Sequence, residues 1–133
     1  MACRVYQILL AGRTAEEIVF GEASHRAGGL RGSDLQQATA FAAAMVASLG
    51  LAGPNRLLFL APAEDTDELL SYAYVRATAD SELEKAANAC RATLMMHRAA
   101  LDEISASLLR KGRNDGVTAA AIIDAHRGAK EDE

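Results

Sequence analysis

Three histidines, two cysteines and a scatter of carboxylates are the residues of this 133-residue chain with chemistry to offer. His25, His97 and His126 are spaced so that no two share a helix face. The H-E-x-x-H clamp, which grips zinc with two imidazoles one turn apart and uses its glutamate as a base, is therefore absent. There is no G-x-x-x-x-G-K-[ST] loop to cradle nucleotide phosphates and no G-x-S-x-G elbow to present a serine. No catalytic or cofactor-binding residue is assigned. Glu16 and Glu17 invite an acid and base reading, but adjacent helix positions point about 100° apart and do not face each other. An ion pair, with Arg13 as partner, is the plainer expectation. His25 lies in a Gly-rich loop near Asp34, where a solvated side chain is simpler than a ligand. His97 and His126 fall at expected helix ends, where the dipole favours a cation. Cys3 and Cys90 form no C-x-x-C pair and sit in apolar helical patterns as small hydrophobes, which fits a reducing compartment.

The elements that position these residues read as helices. Val5, Ile8, Leu9, Ala15, Ile18 and Val19 predict a helix over about Arg4 to Phe20, with Gly12 allowing another backbone to approach and Gly21 as the stop. The run EASHRAGGLRGS is a loop that ends in a marked helix start: Ser33 caps, and Gln36 completes an S-x-x-Q capping box. Asp34 then falls in the first turn, where its charge suits the helix dipole. Leu35, Ala38, Ala42, Met45 and Leu49 give the second helix a packing stripe that Gly50 ends. Residues 51–65 hold both prolines and the apolar run Leu57 to Leu60, read as a short strand or a buried connector. Helical pattern resumes near Thr66 and strengthens from Thr78 to His97 around Leu83, Ala87, Cys90 and Leu94. A further helix, Arg98 to Lys111, is expected to bury Leu101, Ile104 and Leu108. A last one runs from Val117 to His126, before a charged tail at 128–133. The expectation is an all-α bundle of four to five helices, with residues 1–127 as its one structured domain.

Composition supports this. Half of the residues are hydrophobic but only 5% are aromatic, with no Trp. Such small aliphatic cores suit close-packed helices better than sheets. A net charge of -4, from 14 basic and 18 acidic residues, argues against a nucleic-acid module. The most apolar stretch, Ala40 to Gly53, is too short for a membrane span and is broken by Ser48 and Gly50. The N-terminus passes quickly into charged amphipathic sequence, unlike a signal peptide. A cytoplasmic protein with no membrane contact through this segment is expected.

Two stretches carry a family resemblance. LLAGRTAEEIVFGE (Leu9 to Glu22) is similar to the G-R-x-A-E-E-[LIV]-V-F-G stretch of FtsH-type ATP-dependent zinc metalloproteases. GSDLQQATAFAAAMVASLGL (Gly32 to Leu51) resembles their S/N-D-L-x-x-A-T-x-x-A-x-x-M-V-x-x-x-G-[ML] helix. Order and spacing both match, and the closing helices follow more loosely. In that family two histidines of H-E-x-x-H bind zinc with a carboxylate from the aspartate opening the D-L-x-x-A-T helix. The resemblance thus implies that Asp34 occupies the third ligand position, with zinc bound only if upstream histidines complete the set. It also implies a hexameric homo-oligomer acting on protein substrates, with ATP used by a module this chain lacks and a membrane anchor in full-length relatives. Two departures stand near the expected active-site face: the loop Ala27 to Gly32 is longer than usual, and the segment after Gly50 is shorter. Both bear on substrate access. A second reading makes the 133 residues, which begin with Met1, a complete, inactive helical remnant serving as an oligomerisation or adaptor module.

Overall fold

A computed structural model of the chain describes residues 2–24 and 29–131. Within them the protein is all-helical: α1 (Ala2–Phe20), α2 (Asp34–Ala47), α3 (Thr66–Ser71), α4 (Ala73–Met96), α5 (Arg98–Lys111) and α6 (Gly116–Glu131). That is one helix beyond the expected upper count, and the addition is α3. The helical pattern expected from Thr66 is divided there: α3 ends at Ser71, Tyr72 takes an extended conformation, and α4 starts at Ala73, while Leu69 of α3 is buried completely. No described helix is long and apolar enough to cross a membrane. The chain divides into two compact units, Met1–Arg91 and Ala92–Glu133.

In the first unit, Gly21 ends α1 at a φ of 82°, its amide donating to the Glu17 carbonyl at 3.0 Å. α2 supplies a nearly unbroken set of buried small residues. Ala38 and Ala42 pack with Tyr6 and Leu10 of α1 and with Ala79 and Ala86 of α4. Ala43 to Ala47 pack with Ala52, Ala61, Leu69 and Val75. Tyr6 meets the Phe41 ring edge-on at 5.5 Å between centroids, an arrangement the aromatic quadrupole favours. Cys90 is buried and behaves as the small hydrophobe expected, its thiol donating to the Gln7 carbonyl at 3.7 Å; burial pushes its pKa up. The Cys3 side chain lies outside the described set.

α2 stops earlier than its apolar stripe suggested. Ser48 leaves the helix and its hydroxyl donates to the Ala61 carbonyl at 2.7 Å, while Leu60 N–H donates to the Ala47 carbonyl at 2.9 Å. Those bonds turn the chain back over the helix end, and Leu49 stays half exposed. The run from Leu57 is neither a strand nor a fully buried connector: Leu57, Leu58 and Phe59 are all exposed, Leu60 is partly buried against the core, and full burial comes at Ala61.

In the second unit, α5 has the bounds its sequence predicts. Gly112 closes it in the left-handed region, its amide donating to Leu108 O at 2.8 Å. Its buried line differs, with Ala100 and Ser107 inside and Leu108 exposed. The cause is polar. Ser107 Oγ donates to Asn114 Oδ1 at 2.8 Å, which satisfies a hydroxyl that burial would otherwise penalise. Asp115 caps α6, accepting from Thr118 N at 2.7 Å, and hydrogen bonds from the Thr118 side chain and backbone hold its carboxyl below the usual range. α6 continues past the expected end at His126 to Glu131, and the final two residues of the charged tail lie outside the described residues.

Candidate metal-ligand site at the α1–α2 junction

Asp34 is the first residue of α2, and three side chains fix the chain that delivers it. Ser33 Oγ accepts from Gln36 N at 3.2 Å, the capping bond the sequence predicts. The reciprocal half of the box goes elsewhere: Gln36 Oε1 accepts from Gly32 N, one residue before the cap. Gln37 Nε2 donates to Gly32 O at 2.9 Å, so the Gly32 residue is held at both its amide and its carbonyl. Gly32 sits at a φ of 78°, where other residues are strained. A capping box was legible in S-x-x-Q; the second glutamine's grip on Gly32 was not, since it depends on the left-handed turn.

The Asp34 side chain itself is exposed. Among the described residues no hydrogen bond or ion pair engages its carboxylate. It borders a cleft of about 190 Å³ lined also by Leu9, Leu10, Gly12, Arg13, Glu16 and Leu35. The expectation that another backbone approaches Gly12 is not met among the described residues: a Cβ built there has none of them within 4 Å.

Glu16 and Glu17 have separate tasks. Glu17 is the ion-pair residue, reached by Arg13 Nε at 3.2 Å and by Arg91 Nη2 of α4 at 2.6 Å. Glu16 instead accepts from Ser24 N at 2.8 Å, pinning the start of the loop. Bonds to Ser24 hold its carboxyl below the ordinary value of 4.5. A depressed carboxyl stabilises the folded loop above its unfolded-state pKa and loses that contribution as pH falls through the folded value. Acidification through that window is therefore expected to lower the protection of the Ser24 amide, read by NMR as its exchange rate relative to the intrinsic rate at each pH, while Glu16→Gln flattens the profile. An unchanged profile in Glu16→Gln would show that another group controls the loop.

The remaining candidates disperse. His25, with Ala27 and Gly28 of the lengthened loop, lies outside the described residues. His97 does stand at a helix junction, preceding α5. His126 does not: it lies in the body of α6, where Nε2 meets Glu103 Oε2 of α5 at 2.6 Å. A larger hollow, about 610 Å³, is lined by Arg31, Gln36, Glu64, Asp65, Thr66, Asp67 and Glu68. Neither hollow brings ligands together, for among the described residues no three His, Cys, Asp or Glu side chains are grouped to hold a metal ion.

With that geometry in place, comparison with known proteins is decisive. The sequence matches Peptidase family M41 over residues 3–119, which includes all of α1 but its first residue, the loop, Asp34 and all of α2 to α5. The chain belongs to peptidase family M41. Its M41 relatives include the ATP-dependent zinc metalloprotease FtsH of Methylococcus capsulatus, 34% identical over 128 residues, covering 87% of this chain and 20% of the relative. FtsH 1 of Symbiobacterium thermophilum, also named an ATP-dependent zinc metalloprotease, is 34% identical over 125 residues, covering 92% and 20%. The chain thus spans about a fifth of the length of the curated M41 relatives it matches. No solved structure matches it. The FtsH-type resemblance carried by the two sequence stretches is a true family membership.

Proposed function

We propose that this chain is the helical part of a zinc endopeptidase of the M41 family, that Asp34 is its third zinc ligand, and that it is inactive by itself. The observation that carries the reading is the Asp34 carboxylate: positioned by a triply held turn, bordering a cleft, and bound to no described group. A carboxylate oxygen is a sound third ligand beside two imidazoles and leaves a coordination position for water. One carboxylate does not hold zinc, and the described residues offer no second and third ligand. The residues of this chain therefore do not fit the metal alone, and no chemical step is assigned to them. What they do is hold the Asp34 backbone still, through Ser33, Gln36 and Gln37.

In the complete enzyme the substrates are proteins, ATP is used by a separate module, and subunits assemble into a homo-oligomer, a hexamer as the family resemblance implies. Exposed Leu49, Leu51, Leu57, Leu58 and Phe59 support a share in subunit contacts, since an apolar patch facing water commonly marks an association surface.

An immunoblot of source cells with an antibody to this chain is the first test. A band several times heavier than 14.0 kDa is expected. Zinc content of that longer protein should then fall to background in Asp34→Asn. A band at 14.0 kDa would sink the peptidase reading in favour of a stand-alone helical module.

A further inference from the structure

α3 and α4 meet at a break that nothing local in the sequence demands. Residues 66–76 contain neither glycine nor proline. Tyr72, which separates the two helices, offers none of the short side-chain oxygens that cap a helix start. It is nevertheless extended, with φ -79° and ψ 119°. Tertiary contacts make the break. Arg76 of α4 reaches back, its Nη1 donating to the Leu70 carbonyl at 2.6 Å and to the Ser71 carbonyl at 3.1 Å. Those are carbonyls that the end of α3 leaves without an intrahelical partner. Leu69, fully buried against the α2 end of the core, holds α3 down.

The same two carbonyls have a second set of donors within reach. In one helix running from α3 into α4, the Tyr74 and Val75 amides would take the Leu70 and Ser71 carbonyls four residues back. As it stands, Val75 N donates to the Tyr72 carbonyl at 3.1 Å. The guanidinium and the two amides therefore compete for one pair of acceptors, and either set satisfies them. We infer that the α3–α4 junction is a two-state hinge: bent, with α3 docked through Leu69, or straight, with α3 fused to α4 and Leu69 released. Burial of Leu69 and the Arg76 bonds favour the bent state, while the uninterrupted helical sequence favours the straight one. A minor state of this kind is populated at roughly 0.1–10%.

The hinge moves a wall. Thr66, Asp67 and Leu70 of α3 line a hollow of about 360 Å³ together with Leu35, Gln36 and Thr39 of α2. Gln36 also accepts from the Gly32 amide in the turn that delivers Asp34. Straightening removes the α3 side of that hollow and opens the first turn of α2 along its flank. That the opening admits a polypeptide rests on the reading of Asp34 as a zinc ligand; the hinge itself does not.

The test is NMR on the 133-residue chain. Relaxation dispersion is expected to show Tyr72, Tyr74 and Val75 in exchange, with the Tyr72 Cα moving toward a helical shift. The Gly32 and Gln36 amides should exchange at the same rate. Arg76→Met, which leaves helix propensity nearly unchanged, should raise the straight population roughly tenfold. Ala73→Pro should do the reverse. Proline suits the first position of α4 after an extended residue, and it cannot sit inside a fused helix. Exchange should vanish in that variant and its melting temperature should rise. No exchange in either the wild type or Arg76→Met would overturn the hinge, as would exchange that persists in Ala73→Pro. Coil-like shifts across residues 66–71 in Arg76→Met would overturn it too, since α3 would then melt and not fuse. Exchange at Tyr72 that leaves Gly32 and Gln36 still would overturn the moving wall. None of these outcomes involves zinc, so the role of Asp34 is decided separately by the metal content of Asp34→Asn.

Discussion

Gly50→Ala is expected to be among the most damaging single-methyl additions this chain can suffer. Gly50 has a φ of 62°, and a Cβ there would lie 2.1 Å from the Arg56 carbonyl oxygen. Two penalties combine. The left-handed backbone costs a non-glycine residue about 1–2 kcal/mol, and the contact with a backbone atom can be relieved only by moving the chain. That chain is held nearby, by Leu51 and Ala52 amides on the Met45 carbonyl at 3.0 and 3.1 Å and by Leu60 on Ala47. A total loss of about 3 kcal/mol or more follows, within the range of special backbone positions and overpacked sites taken together. Urea denaturation followed by circular dichroism measures it, and a change under about 1 kcal/mol would mean that the turn rebuilds itself freely.

Leu69→Ala should cost a similar amount for the opposite reason. Leu69 is fully buried and anchors α3 to the α2 end of the core, with Leu70 partly buried beside it. Truncating a buried leucine loses its transfer free energy and leaves a cavity, together about 2–5 kcal/mol. Because α3 is so short, loss of this anchor should also release the helix locally. Hydrogen exchange at α3 amides is then expected to rise more than exchange in α2. Uniform loss across both helices would show instead that α3 unfolds only with the whole unit.

These two sites differ in how far the sequence exposed them. Gly50 was read as the stop of α2, because glycine after an apolar helix is a common ending, but the helix ends before it, at Ala47 with Ser48 as its cap. The contact of Gly50 with Arg56 was not legible, since that depends on how residues 51–60 fold back. The start of α2 was legible from Ser33 to Gln36 because capping is local chemistry. The extent of α5 was legible because Gly112 interrupts a regular pattern. Burial was harder. Leu57 to Phe59 are apolar yet exposed, and Ser107 is polar yet buried, because tertiary partners decide burial. The candidate site divides in the same way. Asp34 emerges from a motif, whereas its lack of a partner among the described residues, the grip of Gln37 on Gly32 and the open side of Gly12 among those residues belong to three-dimensional structure alone.

The alanines of α2 give the chain a one-sided tolerance. Ala38, Ala42, Ala43 and Ala47 are fully enclosed, so their neighbours already press against methyl groups. Shrinking such a side chain to glycine costs about 1 kcal/mol at most, in helix propensity, while any branched or aromatic replacement has to push a helix aside, at about 1–3 kcal/mol each. Random mutagenesis of these positions would then return glycine, serine and cysteine among the survivors and almost never leucine or phenylalanine. In most protein interiors the dangerous direction of drift is toward smaller residues; along this helix it is toward larger ones.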